Sequence, residues 1–147
     1  MLRQQIEDQI KESLKSGNRP VLETLRFLFS AIKNAEIDLH HEATDEEVVA
    51  VIQKQVKQHK ESVEAYKTGG RPELAAKEEN ELQTLSKFLP EQMSEDQLRS
   101  VVEEVVKNLS ESDKNNFGKV MGAVMGRVKG KVEGGLVSKV VKEVLSS

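Results

Sequence analysis

Four glycines recur at every fourth residue near the C-terminus, and their spacing is the feature that most clearly suggests a chemical role: Gly118, Gly122, Gly126 and Gly130. The apolar residues among them repeat with helical spacing and predict one buried stripe: Phe117, Val120, Met121, Val124 and Val128. At about 100° per residue, the first three glycines lie on the opposite face of that helix, together with Lys119 and Lys129. A glycine inside a helix costs about 1 kcal/mol relative to alanine, so such a face needs a reason. A face without side chains, bordered by lysines, lets a polyanion backbone approach closely, and this predicts binding rather than catalysis.

Positive charge is concentrated in the same part of the chain. The net charge of the whole sequence is −3. Residues 114–147 contain seven basic and two acidic side chains, a net charge of +5, so the rest of the chain carries −8. A basic end on an acidic body predicts an anionic partner for that end. A solvated charge pattern without a partner is the alternative.

Residues that could support catalysis or hold a metal are few. The chain has no cysteine and three histidines, and the adjacent His40 and His41 point to different faces of a helix. We predict that His59 is a structural residue in the seam of a long helix, and that there is neither a metal site nor a cofactor. A run of carboxylates is typical of a solvated helix surface: Glu78, Glu79 and Glu81.

Enzyme motifs are incomplete. Residues 126–131 look like a phosphate-binding loop, but the spacing is one residue short and Val132 replaces the Ser or Thr that holds Mg²⁺. The serines form no nucleophile elbow, and no carboxylate pair stands apart for general acid–base chemistry. The sequence therefore argues against an autonomous enzyme.

The elements that must position these residues are helices. In the N-terminal part, apolar spacing predicts helices over residues 2–14 and 22–32, with a break at 16–20 that contains a proline able to open a helix. A capping box at residues 44–47 begins a long helix with a heptad seam formed by six residues: Val49, Ile52, Val56, His59, Val63 and Tyr66. A turn at 68–71 joins it to a fourth helix in an αα-hairpin.

Three further helices are predicted after Pro90. A second capping box at residues 94–97 begins the first. A polar break at 110–116 separates it from the glycine-containing helix, and residues 136–145 form the last.

The predicted fold is all-α, with two parts. An N-terminal domain of about four helices covers residues 1–92, and a small three-helix tail bundle covers residues 93–147. The valine-rich segments 101–106 and 137–144 leave a strand as the alternative there, because valine is a poor helix former.

The location of the protein is predicted from its composition. The absence of cysteine fits a reducing compartment. No apolar run approaches the length of about 20 residues that spans a bilayer, and the N-terminus lacks the apolar core of a signal peptide. We predict a cytoplasmic protein without a membrane partner.

Blocks of residues along nearly the whole chain resemble the YqeY family of small bacterial proteins. The blocks are Leu25–Glu36, Thr44–Val48, Gly70-Arg71 followed by Glu73–Ala75, Lys77-Glu78, Leu89–Gln92, Gly118–Gly122, Val128–Lys131 and Leu136-Val137. The last three are also similar to the tail domain of the GatB subunit of tRNA-dependent amidotransferases. Their order and spacing together make the resemblance specific.

The resemblance implies a helical N-terminal domain and a three-helix tail that contacts tRNA. It carries tRNA contact onto six matched positions: Gly118, Lys119, Gly122, Lys129, Gly130 and Lys131. Arg127 and Lys139 are added to these candidates from their charge alone. It also implies tRNA as a partner, with a possible protein partner in tRNA aminoacylation or amidation.

The chain departs from the family pattern at some positions. Val132, Glu133 and Gly134 stand where the family tends to have a small residue, an acidic or amide residue, and Gly or Pro. Ser138 stands where Asn is usual, which puts an amide contact there in doubt. A label of carbon–nitrogen ligase with glutamine as amido-N-donor attaches to such tails, but the residues do not support independent ligase activity. A protein-interaction scaffold that does not bind RNA is the alternative function.

Overall fold

The computed structural model describes residues 1–146, which form eight helices and no strand. The predicted all-α fold is therefore confirmed. The segments 101–106 and 137–144, for which a strand is the alternative, lie inside helices. Their valines recur three and four residues apart and so share one helix face. Five of them are buried, and Val101, Val106 and Val144 are half-buried against the same core. This packing outweighs their weak helix propensity.

The chain divides into two compact units, Met1–Leu89 and Pro90–Ser147. This division lies three residues before the predicted boundary between residues 92 and 93. Whether domains 1–92 and 93–147 fold independently stays a prediction.

Four helices form the first unit: α1 (Leu2–Ser16), α2 (Arg19–Leu39), α3 (Asp45–Thr68) and α4 (Pro72–Ser86). In the predicted break between α1 and α2, Gly17 adopts φ 73° and the side chain of Asn18 accepts a hydrogen bond from the N–H of Val21. Pro20 fits in the first turn of α2, where the N–H that it lacks would have no partner within the helix. Helices α3 and α4 pack along each other as an αα-hairpin.

The core of the first unit takes side chains from all four helices. Its fully buried members are Ile6, Leu25, Leu28, Ile32, Val48, Ile52 and Leu85. On α3 the predicted seam is shifted at its start, because Val48 is buried and Val49 is half-buried. Helix α3 contacts α1 and α2 as well as α4, so its buried face is wider than a two-helix seam.

The two predicted capping boxes differ in detail. Thr44 Oγ1 accepts a hydrogen bond from Glu47 N at 3.3 Å and donates one to Glu47 Oε1 at 3.0 Å. In a complete capping box the carboxylate of Glu47 would instead accept from the backbone N–H of Thr44. At the start of α5 (Glu95–Asn108) the complete box is present. There Gln97 Oε1 accepts from Ser94 N at 2.9 Å, and Ser94 Oγ accepts from Gln97 N at 3.2 Å.

The second unit contains the three predicted helices and one additional turn. After α5 come α6 (Glu111–Lys114), α7 (Phe117–Val128) and α8 (Gly134–Leu145). The short α6 lies in the predicted polar break, where Ser110 Oγ accepts a hydrogen bond from Asp113 N at 3.3 Å. The buried core consists of one leucine and nine valines from α5, α7, α8 and the loop between α7 and α8: Leu98, Val102, Val105, Val120, Val124, Val128, Val132, Val137, Val140 and Val141.

The segment before α5 is bonded to the loop between α7 and α8. The N–H of Met93 donates to the carbonyl of Lys131 at 2.9 Å, and Gln92 Nε2 donates to the carbonyl of Gly130 at 3.0 Å. Gly130 itself is buried and adopts φ 81°, a left-handed conformation that favours glycine. These contacts fix the loop that carries Lys129 and Lys131.

Candidate functional site

Three glycines form an exposed strip along α7, which we call the glycine face: Gly118, Gly122 and Gly126. A Cβ added to Gly122 or Gly126 would meet no described heavy atom within 4 Å. At Gly118 such a Cβ would lie 3.4 Å from Asn116 Oδ1. Within the described residues, no helix packs on this strip, so these glycines are not needed to let a neighbouring helix of the unit come close.

Lys119 borders the glycine face and is 62% exposed along its side chain. Its Nζ lies 2.9 Å from Asp113 Oδ1. Hydrogen bonds from Lys119 and from Ser110 hold the pKa of Asp113 below its usual value. Lys119 is therefore at the predicted place, with an acidic side chain beside it that the sequence did not indicate.

Arg127 and Lys139 do not extend the glycine face. Arg127 Nη2 lies 3.5 Å from Glu104 on α5, and Lys139 Nζ lies 3.7 Å from Glu95 at the start of α5. Arg127 is five residues from Gly122 and so about 140° around the helix from it. Both side chains are exposed, and both are directed to carboxylates of α5.

The candidates after α7 differ in their exposure. Lys129, which ends α7, and Lys131 are both exposed. Gly130 is buried between them, and its carbonyl already accepts the hydrogen bond from Gln92. The structure thus brings Gly130 to the turn, where it shapes the loop, and not to the glycine face.

Phe117 is the residue of α7 for which the predicted stripe fails. It is 39% exposed, because it occupies the first position of α7 at the end of the buried stripe. Lys142 Nζ lies 5.8 Å from the centre of its ring. An exposed aromatic ring beside a cation can contact the face of a nucleobase.

A second group of polar residues lies in the first unit, where no site is predicted. His59 of α3 meets Glu78 and Glu81 of α4: Nδ1 of the histidine is hydrogen-bonded to Glu78 Oε2 and lies 3.5 Å from Glu81 Oε2. All three side chains are half-buried. The predicted hairpin could have revealed this cluster from the sequence. His59 lies eleven residues before Gly70 of the turn and Glu81 eleven residues after it, so the hairpin brings the two to the same level.

None of the described helices has both the length and the apolar character needed to cross a membrane.

The sequence of this chain is similar to those of several known proteins. A sequence profile of the family described as Yqey-like protein matches residues 3–145. An uncharacterized protein of Schizosaccharomyces pombe is 36% identical over 89 residues, which are 60% of this chain and 72% of the relative. Two proteins named altered inheritance of mitochondria protein 41, mitochondrial, are also similar. That of Pyrenophora tritici-repentis is 31% identical over 79% of this chain and 65% of its own length, and that of Vanderwaltozyma polyspora is 28% identical over 78% and 66%.

These relatives correct one prediction. The chain spans about two thirds of their length, and the names of two of them say that they are mitochondrial. The prediction of a cytoplasmic location is contradicted by these names. It relied on cysteine content and hydropathy, and neither property separates the cytoplasm from a mitochondrial compartment. Because the family profile matches almost the whole chain, the chain belongs to the family of Yqey-like proteins.

Proposed function

We propose that this Yqey-like protein is a non-catalytic helical module whose second unit binds tRNA. The contact surface consists of the glycine face together with Lys119, Lys129 and Lys131. The observation that carries the proposal is the open glycine face, on which a Cβ at Gly122 or Gly126 would meet no described atom within 4 Å. The likeness of the tail to the GatB subunit suggests the class of RNA and a connection to tRNA-dependent amidation with glutamine as the amido donor.

The energetic argument starts from the cost of the glycines. Each interior glycine lowers helix stability by about 1 kcal/mol relative to alanine. Packing of a neighbouring helix would offset this cost, but nothing among the described residues packs there. A ligand backbone that approaches to hydrogen-bonding distance is the other use of a helix face without side chains.

Charge supports an RNA phosphate as that ligand. The segment 114–147 carries a net charge of +5, which residues 90–113 balance to zero for the second unit as a whole, so the positive charge is local to that segment. The N-terminal end of α7, near Gly118, also carries the positive end of the helix dipole. The pair of Lys119 with Asp113 is solvent-exposed, and exposed pairs contribute little to stability, so Lys119 can turn to a phosphate at small cost.

The experiment measures tRNA binding by the full chain at several salt concentrations. The parent should bind with an affinity that falls steeply as salt rises, because phosphate contacts release counterions. The triple variant K119Q/K129Q/K131Q should bind more weakly, with a salt slope flatter by about 0.7 to 0.9 for each lysine–phosphate pair that is removed. A triple variant of exposed lysines in the first unit, K11Q/K54Q/K60Q, is the matched control and should keep the slope of the parent.

A bulky residue on the glycine face tests the close approach directly. Gly122→Leu should weaken tRNA binding while the far-UV circular dichroism stays helical and the unfolding midpoint stays at or above that of the parent, because leucine has the higher helix propensity and its side chain extends into open space. If this variant unfolds, the glycine is a packing residue. If the triple lysine variant binds as the parent does, the RNA proposal fails.

A protein-interaction scaffold is the second candidate function. The observation in its favour is that several candidate cations already have acidic partners: Lys119, Arg127 and Lys139. Such pairing reduces the charge available to a polyanion. A parent that shows no salt-dependent binding to tRNA would favour this candidate, with a protein of tRNA aminoacylation or amidation as the partner.

A further inference from the structure

The hairpin of the first unit brings three potential metal ligands together on rigid elements. His59 projects from α3, and Glu78 and Glu81 project from α4. A spacing of three residues puts the two glutamates on one face of α4, about one turn apart. Because α3 and α4 pack along each other, that face meets His59.

The donor atoms of these side chains converge. One imidazole nitrogen and one carboxylate oxygen from each glutamate all lie within 4.8 Å of one another. A cation with bonds of about 2.1 Å to nitrogen and oxygen holds its ligand atoms about 3 to 3.5 Å apart, so small rotations of the side chains would suffice to close around it. Side-chain exposures of 16% for His59, 21% for Glu78 and 26% for Glu81 show that the donors are sheltered without being sealed off from solvent.

A cavity of about 340 Å³ opens onto the same three side chains. Its other lining residues are Glu23, Thr24 and Phe27 of α2, and no lysine or arginine is among the lining that the structure describes. Arg19 and Lys77 line the neighbouring groove, which shares Glu23, Thr24 and Glu81 with this cavity but not His59.

Within the lining of this cavity, carboxylates outnumber the groups that can carry a positive charge. Three carboxylates face it, and one imidazole supplies at most one positive charge against them. Nδ1 of His59 contacts the carboxylate of Glu78 and lies 3.5 Å from that of Glu81, so two carboxylates share one ring nitrogen. A bound divalent cation would compensate the charge of both glutamates.

We infer that His59, Glu78 and Glu81 form a site for one divalent transition-metal cation, with water in the remaining positions. An imidazole with two carboxylates is a donor set that suits metals from Mn²⁺ to Zn²⁺, whereas Mg²⁺ and Ca²⁺ prefer oxygen ligands alone. Glu23 is exposed and lines the same cavity. This site lies in the first unit and does not depend on the proposed tRNA binding.

The test titrates the metal-stripped full chain with Zn²⁺, Co²⁺, Mn²⁺ and Mg²⁺ by calorimetry. The expected result is one Zn²⁺ per chain, affinity that falls from Zn²⁺ to Mn²⁺ and is weakest for Mg²⁺, and a Co²⁺ complex with the visible absorption of a nitrogen- and oxygen-ligated ion. Zn²⁺ should also raise the unfolding midpoint, because the ligands converge only in the folded hairpin. Each of H59Q, E78Q and E81Q should lower the affinity for Zn²⁺ by about 100-fold or more.

Two matched variants control for adventitious binding. Glu79 lies between the two glutamates on α4 but pairs with Lys67 at 3.2 Å, and His41 pairs with Glu47 at 3.5 Å outside the cluster. E79Q and H41Q should bind Zn²⁺ as the parent does. The inference is overturned if H59Q retains the parent affinity, if H41Q removes the binding, or if Mg²⁺ binds as tightly as Zn²⁺. Should H59Q prove misfolded by circular dichroism, the more exposed E81Q decides the question by the same titration, and parent affinity in E81Q overturns the inference.

Discussion

At the scale of single residues, the glycines of the second unit fall into two classes that their even spacing conceals. Gly122 lies inside α7 with ordinary helical geometry and open space where a Cβ would be. Gly130 lies in the following turn with φ 81° and is buried. The first is a position where glycine is unfavourable for stability, and the second is a position where the backbone requires it.

This difference predicts opposite effects of the same substitution. Gly122→Ala should raise the free energy of unfolding by up to about 1 kcal/mol, because alanine gains helix propensity and meets no neighbour. Gly130→Ala should lower it by about 1 to 2 kcal/mol, because an L-residue is strained at positive φ. Denaturant unfolding of both variants measures the two values. A loss of stability in the first variant would show that the glycine face is packed in solution.

The periodicity of the sequence predicts the opposite faces of α7, but not the surroundings of its basic residues. Val120, Val124 and Val128 are buried and the glycines are exposed, as a period of 3.6 residues requires. The partners of Lys119 and Arg127 come from α6 and α5, so they depend on a short turn and on tertiary packing that no local pattern encodes.

At the scale of elements, an ion-paired cluster fastens α1 to α2. Arg3 donates to both carboxylate oxygens of Glu36, at 2.9 and 3.2 Å, and the N–H of Ala43 donates to the same carboxylate at 2.7 Å. The guanidinium also lies 5.1 Å from the ring centre of Phe29. These bonds hold the pKa of Glu36 below its usual value, with the hydrogen bond from Arg3 as the largest cause.

The lowered pKa of Glu36 predicts how stability changes with pH. Its contribution is fully present above the ordinary pKa near 4.5 and is lost as the pH falls through the lower value of the folded state. Glu36→Gln should therefore lower the free energy of unfolding by about 1 to 2 kcal/mol at pH 7, and the deficit should shrink toward pH 3. Denaturant unfolding at both pH values measures this. Glu61→Gln, at an exposed position of α3, is the control and should change little. A deficit in the Glu36 variant that is independent of pH would contradict the argument.

The hairpin shows what a prediction of elements provides and what it leaves out. The turn at residues 68–71 and the helices on either side follow from local signals, and the structure confirms α3 and α4. Treating each helix by itself made His59 a structural residue and Glu78 and Glu81 solvated surface. Their meeting becomes evident only when the two helices are folded back about Gly70, where equal distances from the turn put residues level with one another.

At the scale of the whole molecule, two units with cores of different composition share one chain. The first unit has a mixed core of leucine and isoleucine with a few valines, and the second is built mostly on valine. Helical spacing and the caps indicate this organisation in the sequence. The compartment was predicted wrongly because neither the fold nor the composition indicates a cellular location, whereas relatives that align with most of this chain are named mitochondrial.

The division of the chain leads to a prediction about fragments. Residues 1–92 and 93–147 should each show helical circular dichroism, with the shorter fragment only marginally stable because a small domain buries little apolar surface.

A fragment 90–147 should be more stable than 93–147 by about 0.5 to 1.5 kcal/mol, because it keeps the hydrogen bond from Gln92 to the carbonyl of the buried Gly130. Thermal or denaturant unfolding compares the two fragments. Gln92→Ala in the longer fragment should remove the difference, since it deletes that bond and leaves Pro90 in place. A strand-type spectrum of fragment 93–147 or 90–147 would contradict the helical architecture of the second unit. Equal stability of 93–147, 90–147 and the Gln92→Ala variant of 90–147 would show that the hydrogen bond from Gln92 does not help to fix the loop after α7.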